Sequence, residues 1–141
     1  MTTTIIYAGN TPDGFITSTN GTYATARAGS GLSATTSGVA AKVGQQTGFY
    51  CYEGFEQFNT SGIGTDTISS AVLALYGHAD YSTTDFTIEA RISNWGASLT
   101  TADWVAGASL AGLTLVAHYA TANGWPTDAY TSFLDDAMAA N

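Results

Sequence analysis

The chain has 141 residues, with eleven acids against three bases and a net charge of −8. It therefore has no cationic surface to neutralise phosphates, and neither nucleic acid nor an anionic membrane is an expected partner. Only 10% of residues are charged, against ~25% in an average soluble protein, yet 45% are hydrophobic, which excludes a disordered chain and predicts a single domain over 1–141 with a hydroxyl-rich surface.

Turn signals recur every eight to fifteen residues, from Asn10-Thr11-Pro12-Asp13-Gly14 and Asn20-Gly21 through Gly29-Ser30-Gly31, Gly44, Gly62-Ile63-Gly64 and Gly77 to Asn94-Trp95-Gly96 and Asn123-Gly124. Strand-length segments lie between them, a spacing that predicts an all-β antiparallel sandwich rather than a βαβ repeat. Strands are expected near 4–8, 14–18, 38–43, 48–58, 69–76, 85–93 and 112–119. The segment Phe49-Tyr50-Cys51-Tyr52-Glu53-Gly54-Phe55-Glu56-Gln57-Phe58 is the richest in aromatic residues, which suit a pleated, half-buried surface. Phe86, Ile88, Ala90 and Ile92 alternate with polar residues, as do Leu113, Leu115, Ala117 and Tyr119 with Thr114, Val116 and His118. These residues, with Ala71, Leu73 and Leu75, are the expected core. A short helical turn is expected near 99–105, where Thr100 precedes Asp103 by three residues as in a capping box. A C-terminal helix is expected near 127–139, after Pro126, with Tyr130, Phe133, Leu134, Ala137 and Met138 at helical spacing.

The residues offer little chemistry. Cys51 stands alone, so no internal disulfide forms, and its aromatic neighbours mark it as a small core hydrophobe. His78 and His118 lack the spacing of a zinc site. There is no Gly-x-Ser-x-Gly turn for a nucleophile and no glycine loop with a following lysine for a phosphate. Glu53 and Glu56 could form a carboxylate pair, but the expected reading is solvated surface acids, and no enzyme activity is expected. No cofactor is expected either. Calcium is the ion that the scattered loop residues Asp13, Asn20, Asp66, Asp80 and Asp85 would suit, although no Asp-x-Asp-x-Asp string focuses them. The remaining lead is aromatic: Trp95, Trp104 and Trp125 fall in loops or helix ends and, with Tyr50 and Tyr52, are candidates for a protein interface or for stacking on a glycan.

Several segments carry a family likeness. Asp13-Gly14-Phe15-Ile16-Thr17-Ser18, Thr22-Tyr23-Ala24-Thr25-Ala26-Arg27, Gly54-Phe55-Glu56-Gln57-Phe58-Asn59-Thr60-Ser61 and Ile68-Ser69-Ser70-Ala71-Val72-Leu73 resemble the β-sandwich modules of phage virion proteins, which are similar to carbohydrate-binding jelly rolls. Leu99-Thr100-Thr101-Ala102-Asp103-Trp104-Val105-Ala106-Gly107 is similar to the phage-borne branch. The resemblance implies a jelly-roll-like sandwich and a structural role as a capsid decoration, cement or head-fibre protein on the virion surface. It also implies adhesion to the major capsid or another virion protein, and a homo-oligomer, trimer or dimer. A carbohydrate-binding module of a fibre or secreted protein is the alternative. Two features fit a virion part made in the host cytoplasm: no apolar run approaches the ~18 residues of a membrane span, and Met1-Thr2-Thr3-Thr4-Ile5-Ile6 lacks the basic start and apolar core of an export signal. The family pattern has leucine where Glu56 stands, so Glu56 is expected at a subunit contact or a bulge. It also continues into a further strand, so an open sheet edge covered by a neighbouring subunit is expected.

Overall fold

A computed structural model describes residues 3–9, 13–36, 40–65 and 67–135. The described residues form antiparallel sheets with short helical turns, an all-β architecture. The chain divides into two compact units, the first comprising Met1–Asp66 with Asn94–Gly112 and the second Thr67–Ser93 with Leu113–Asn141.

The first unit is built on a four-stranded sheet of β1 (Gly14–Thr19), β2 (Ser33–Thr36), β3 (Gly44–Gln46) and β4 (Tyr50–Phe55), in the order β2-β1-β4-β3. Its centre is the pairing of β1 with β4, from Gly14 opposite Phe55 to Thr19 opposite Tyr50. Side chains alternate across a strand, so Ile16, Ser18, Cys51, Glu53 and Phe55 share one face, while Phe15, Thr17, Tyr50 and Tyr52 share the other. Ile16, Phe55 and Leu99 form the buried core on the first face, with Ala34, Trp95 and Trp104 packed around them. A short helix, α1 (Tyr23–Ala28), is capped by Thr22, whose hydroxyl accepts the Thr25 N–H while the Thr25 hydroxyl accepts the Thr22 N–H. The buried Ser18 hydroxyl lies 2.8 Å from the Ala26 carbonyl oxygen and 2.9 Å from that of Ser30, tying the end of α1 to β1. The turn expected near 99–105 is a single 3-10 turn over Thr101–Asp103, where the Asp103 carboxylate accepts the Thr100 N–H at 2.7 Å.

The second unit contains a three-stranded sheet and a two-stranded one. β6 (Thr87–Arg91), β7 (Leu115–Ala120) and β9 (Leu134–Asp135) run in the order β6-β7-β9, and β5 (Ala74–Gly77) pairs with β8 (Ala129–Ser132). Ile88, Ala117 and Phe133 form its core, with Leu73, Leu75, Ala90, Tyr119 and Trp125 against them. The β6-β7 register shifts between Ala90 and Arg91, where β7 carries Val116 as an extra residue; Ile92 and Phe86, both expected in the core, are exposed.

Three expectations about the elements are corrected. The helix expected over 127–139 is replaced by β8 and β9 in its described part, and residues 136–141 lie outside the described residues. Thr131 and Phe133 point inward while Tyr130, Ser132 and Leu134 are exposed. That is a period of two, and over so few residues Tyr130, Phe133 and Leu134 fit a helical period equally well until strand pairing decides. Residues 4–8 form no strand: only Ala8 makes a bridge, to Phe58, because Ile5 and Tyr7 find no core to enter. Of the strand expected at 38–43, residues 37–39 lie outside the described residues and 40–43 are irregular. The strand here is β3, which begins at Gly44.

Gly77 shows how tightly the second unit closes. A β-carbon there would fall on the Pro126 carbonyl oxygen and lie 3.0 Å from the Trp125 indole nitrogen. Gly77→Ala must therefore push the Trp125-Pro126 segment off β5, and should cost about 1–3 kcal/mol as overpacking, measured by urea unfolding.

Candidate functional site

Sequence and pairing place the distinctive side chains of the first unit on and beside β4. On its outer face Tyr50 and Tyr52 stack with ring centres 6.5 Å apart, and Phe15 meets Tyr52 edge-on at 5.9 Å. The Lys42 ammonium sits 5.0 Å from the Phe15 ring centre and 5.7 Å from that of Tyr52, a cation against two ring faces. Gly54 favours this approach: a β-carbon there would lie 3.2 Å from Val43 and 3.3 Å from the Lys42 carbonyl oxygen, tight enough to push the segment back by a few tenths of an ångström. At the margin the Tyr23 hydroxyl donates to the Gln46 carbonyl at 2.9 Å, and Tyr23 meets Phe49 edge-on at 5.2 Å. Phe49 and Tyr50 remain exposed, so the margin of this face is open aromatic surface.

The inner face carries a different chemistry. Glu53 alternates with Cys51 and Phe55 and so points toward the core, where its Oε2 accepts the Val105 N–H at 3.0 Å. Burial pushes its carboxyl up to about 7, against the Val105 hydrogen bond and the attraction of the Arg27 guanidinium, which both pull it down. Cys51 is a buried free thiol, and burial raises it further from the reactive thiolate. Just past the strand, Glu56 is half-buried. Burial first, then the Asp13 charge and hydrogen bonding with Asp13, push its carboxyl up to about 7. Asp13 is itself fixed, because its Oδ1 accepts the Gln57 N–H at 2.7 Å. The residues that follow Glu56 help to line an open groove of about 630 Å³, with Tyr7 and Phe58 as its aromatic walls and Gln57, Asn59 and Ser61 among its polar ones.

The six residues singled out from the sequence fall in four places. Tyr50 and Tyr52 lie together on the outer face, and Glu56 lies at the end of the same strand. The tryptophans line the two cores. Trp95 packs edge-on against Phe55 at 5.3 Å, Trp104 joins it around Ile16, and both indole N–H groups are buried with no hydrogen-bond partner. Trp125 packs on Tyr119 at 5.7 Å in the second unit. The reading of Glu53 and Glu56 as solvated acids does not hold, since both are half-buried. Glu53 was legible by alternation with Cys51 and Phe55. The Asp13 partnership joins residues 43 apart and has no local signal. Of the other residues considered for calcium, Asp80 and Asn20 serve turns, Asp80 accepting from the Ser82 N–H at 2.8 Å and hydroxyl at 2.6 Å and Asn20 from the Gly21 N–H; Asp85 faces the distant Thr121, and Asp66 lies outside the described residues. Among the described residues no three His, Cys, Asp or Glu side chains gather where they could hold a metal ion.

Comparison of the chain with family models, with curated proteins and with solved structures finds no match.

Proposed function

We propose that this chain is a non-enzymatic structural protein of a phage particle, a capsid decoration, cement or head-fibre component that acts by protein-protein adhesion at the virion surface. In this reading the antiparallel sheets belong to a jelly-roll-like sandwich that other chains complete. One observation carries the proposal. Large apolar side chains are left in solvent in number: Ile5 is 70% exposed, Tyr7 75%, Val72 67%, Tyr81 93% and Tyr130 68%. Scattered apolar residues are ordinary on a monomer, but apolar side chains grouped on a sheet face mark an interaction surface. The two-stranded β5-β8 sheet has such a face, where Tyr76 and Tyr130 pair edge-on at 5.1 Å and both remain exposed. Adhesion through this face and the Phe49-Tyr50 margin needs no charge complementarity, which suits a chain with only three basic residues.

Light scattering on the purified chain should give a dimer or trimer that also sediments with phage capsids. Tyr130→Asp places a charge in the centre of the apolar face and should weaken self-association or capsid binding by about tenfold or more, with the circular-dichroism spectrum unchanged. A monomer that sediments with no particle would overturn the proposal.

A further inference from the structure

We propose that Asn20 is a site of spontaneous covalent modification, at which the backbone nitrogen of Gly21 closes a ring on the Asn20 side chain and water opens it to aspartate or isoaspartate. The sequence offers two pairs for this chemistry, Asn20-Gly21 and Asn123-Gly124, in which the attacking nitrogen belongs to a residue with no side chain to hinder it. Both pairs are exposed, so access of water does not distinguish them. Hydrogen bonding does. The Gly21 N–H donates to the Asn20 Oδ1 at 2.7 Å, which holds that nitrogen beside the side-chain carbonyl whose carbon it must attack. The Gly124 N–H donates instead to the Thr121 carbonyl at 2.8 Å, closing the 3-10 turn over Thr121–Asn123, and is committed there rather than to its own asparagine. At Asn59 and Asn94 the side-chain oxygen accepts from the N–H two residues on, of Ser61 and of Gly96. The nitrogen next in the chain there belongs to Thr60 or Trp95, whose side chain crowds the ring.

The step needs only hydroxide and water. Hydroxide takes the Gly21 N–H proton, the nitrogen bonds to the Asn20 Cγ, and the Cγ–Nδ2 bond breaks with release of ammonia. Water then adds to the cyclic imide. Addition at Cγ breaks the new C–N bond and leaves aspartate; addition at the backbone carbonyl carbon breaks the original peptide bond and leaves isoaspartate, with the chain running through the side chain. Nothing is oxidised or reduced. Either product adds a negative charge, and isoaspartate lengthens the backbone by a methylene. The insertion falls in the two-residue link between β1, which ends at Thr19, and Thr22, the cap of α1. Both ends of that link are fastened: the Thr19 hydroxyl donates to the Gly48 carbonyl at 3.1 Å, and the Thr22 N–H donates to the Thr25 hydroxyl at 3.1 Å. The site stands apart from the adhesion reading, because it requires neither a partner nor a particle.

Ageing of the full chain in mildly alkaline buffer made with water enriched in the heavy oxygen isotope, followed by peptide mass mapping, tests the site. Each conversion should take up a solvent oxygen and yield isoaspartate as well as aspartate. In the folded chain Asn20 should convert about tenfold or more faster than Asn123, the factor expected when a hydrogen bond must be broken before attack. In urea, where neither hydrogen bond survives, the two rates should converge. Gly21→Ala adds a β-carbon that meets nothing within 4 Å, so the fold is kept, and it should slow Asn20 severalfold by hindering the attacking nitrogen. Equal rates at Asn20 and Asn123 in the folded chain, or an Asn20 rate that Gly21→Ala leaves unchanged, would overturn the proposal.

Discussion

Phe55→Ala is expected to destabilise the first unit by about 3–5 kcal/mol, the usual cost of truncating a buried phenylalanine. Phe55 is 5% exposed, sits at the end of β4 opposite Gly14, and closes the core of Ile16 and Leu99. Its ring also meets Trp95 edge-on at 5.3 Å, a geometry worth about 0.5–1.5 kcal/mol beyond the area buried. The cavity would not collapse easily. Ile16 is fixed in the centre of the sheet by pairing on both sides, with Glu53 on β4 and Ala34 on β2. A domain of this kind has a total stability of about 5–15 kcal/mol, so the variant should be close to unfolded at room temperature. Phe55→Leu keeps most of the volume and should cost well under half as much. Urea unfolding monitored by tryptophan emission measures both, since Trp95 and Trp104 report on this core. A loss below about 1 kcal/mol for the alanine variant would mean that Phe55 is not part of a closed core.

The strands that sequence reveals are those richest in apolar side chains. β1, β4, β6 and β7 were all expected near where they lie, β1 buried along both faces and β6 with a wet face opposite Ile88. β2 and β3 were not expected, because Ser33-Ala34-Thr35-Thr36 and Gly44-Gln45-Gln46 contain almost nothing apolar. They are strands because β1 and β4 offer them backbone hydrogen bonds. The helix α1 escaped notice for a related reason: only Ala26 of its six residues is buried, and its signal is the Thr22 and Thr25 cap. At the C-terminal end a short segment of mixed pattern was read as a helix, when the pairing of Tyr130 with Tyr76 and of His118 with Leu134 makes it strand. The site divides in the same way. Glu56 stood out because the pattern that the segment resembles has leucine there. The inward aim of Glu53 followed from alternation alone, whereas its Val105 partner, 52 residues away, depends on where the 99–105 turn docks.

Glu53→Gln should make the protein more stable than the wild type at pH 8 and leave it nearly unchanged at pH 4.5. The sign follows from the direction of the shift. Folding raises the Glu53 carboxyl from 4.5 to about 7, so the unfolded chain gives up this proton first. The stability it contributes is fully present below pH 4.5 and is lost as the pH rises through 7. A shift of that size corresponds to at most about 3 kcal/mol, and the partial exposure of the group reduces this to about 1–2 kcal/mol. Glutamine keeps a carbonyl oxygen for the Val105 N–H and carries no charge to desolvate. It gives up the attraction to Arg27, but burial is the larger of the two effects, so the exchange is favourable wherever the glutamate would be ionised. Glu56 is raised in the same direction to about 7, so Glu53→Gln alone should leave part of the slope, and Glu53→Gln with Glu56→Gln should nearly flatten it. Urea midpoints taken at half-unit steps from pH 4.5 to 8 would show this. A wild-type stability that rises with pH over that window would mean that the Glu53 carboxyl is ionised in the folded chain, with the Val105 hydrogen bond and the Arg27 charge outweighing burial.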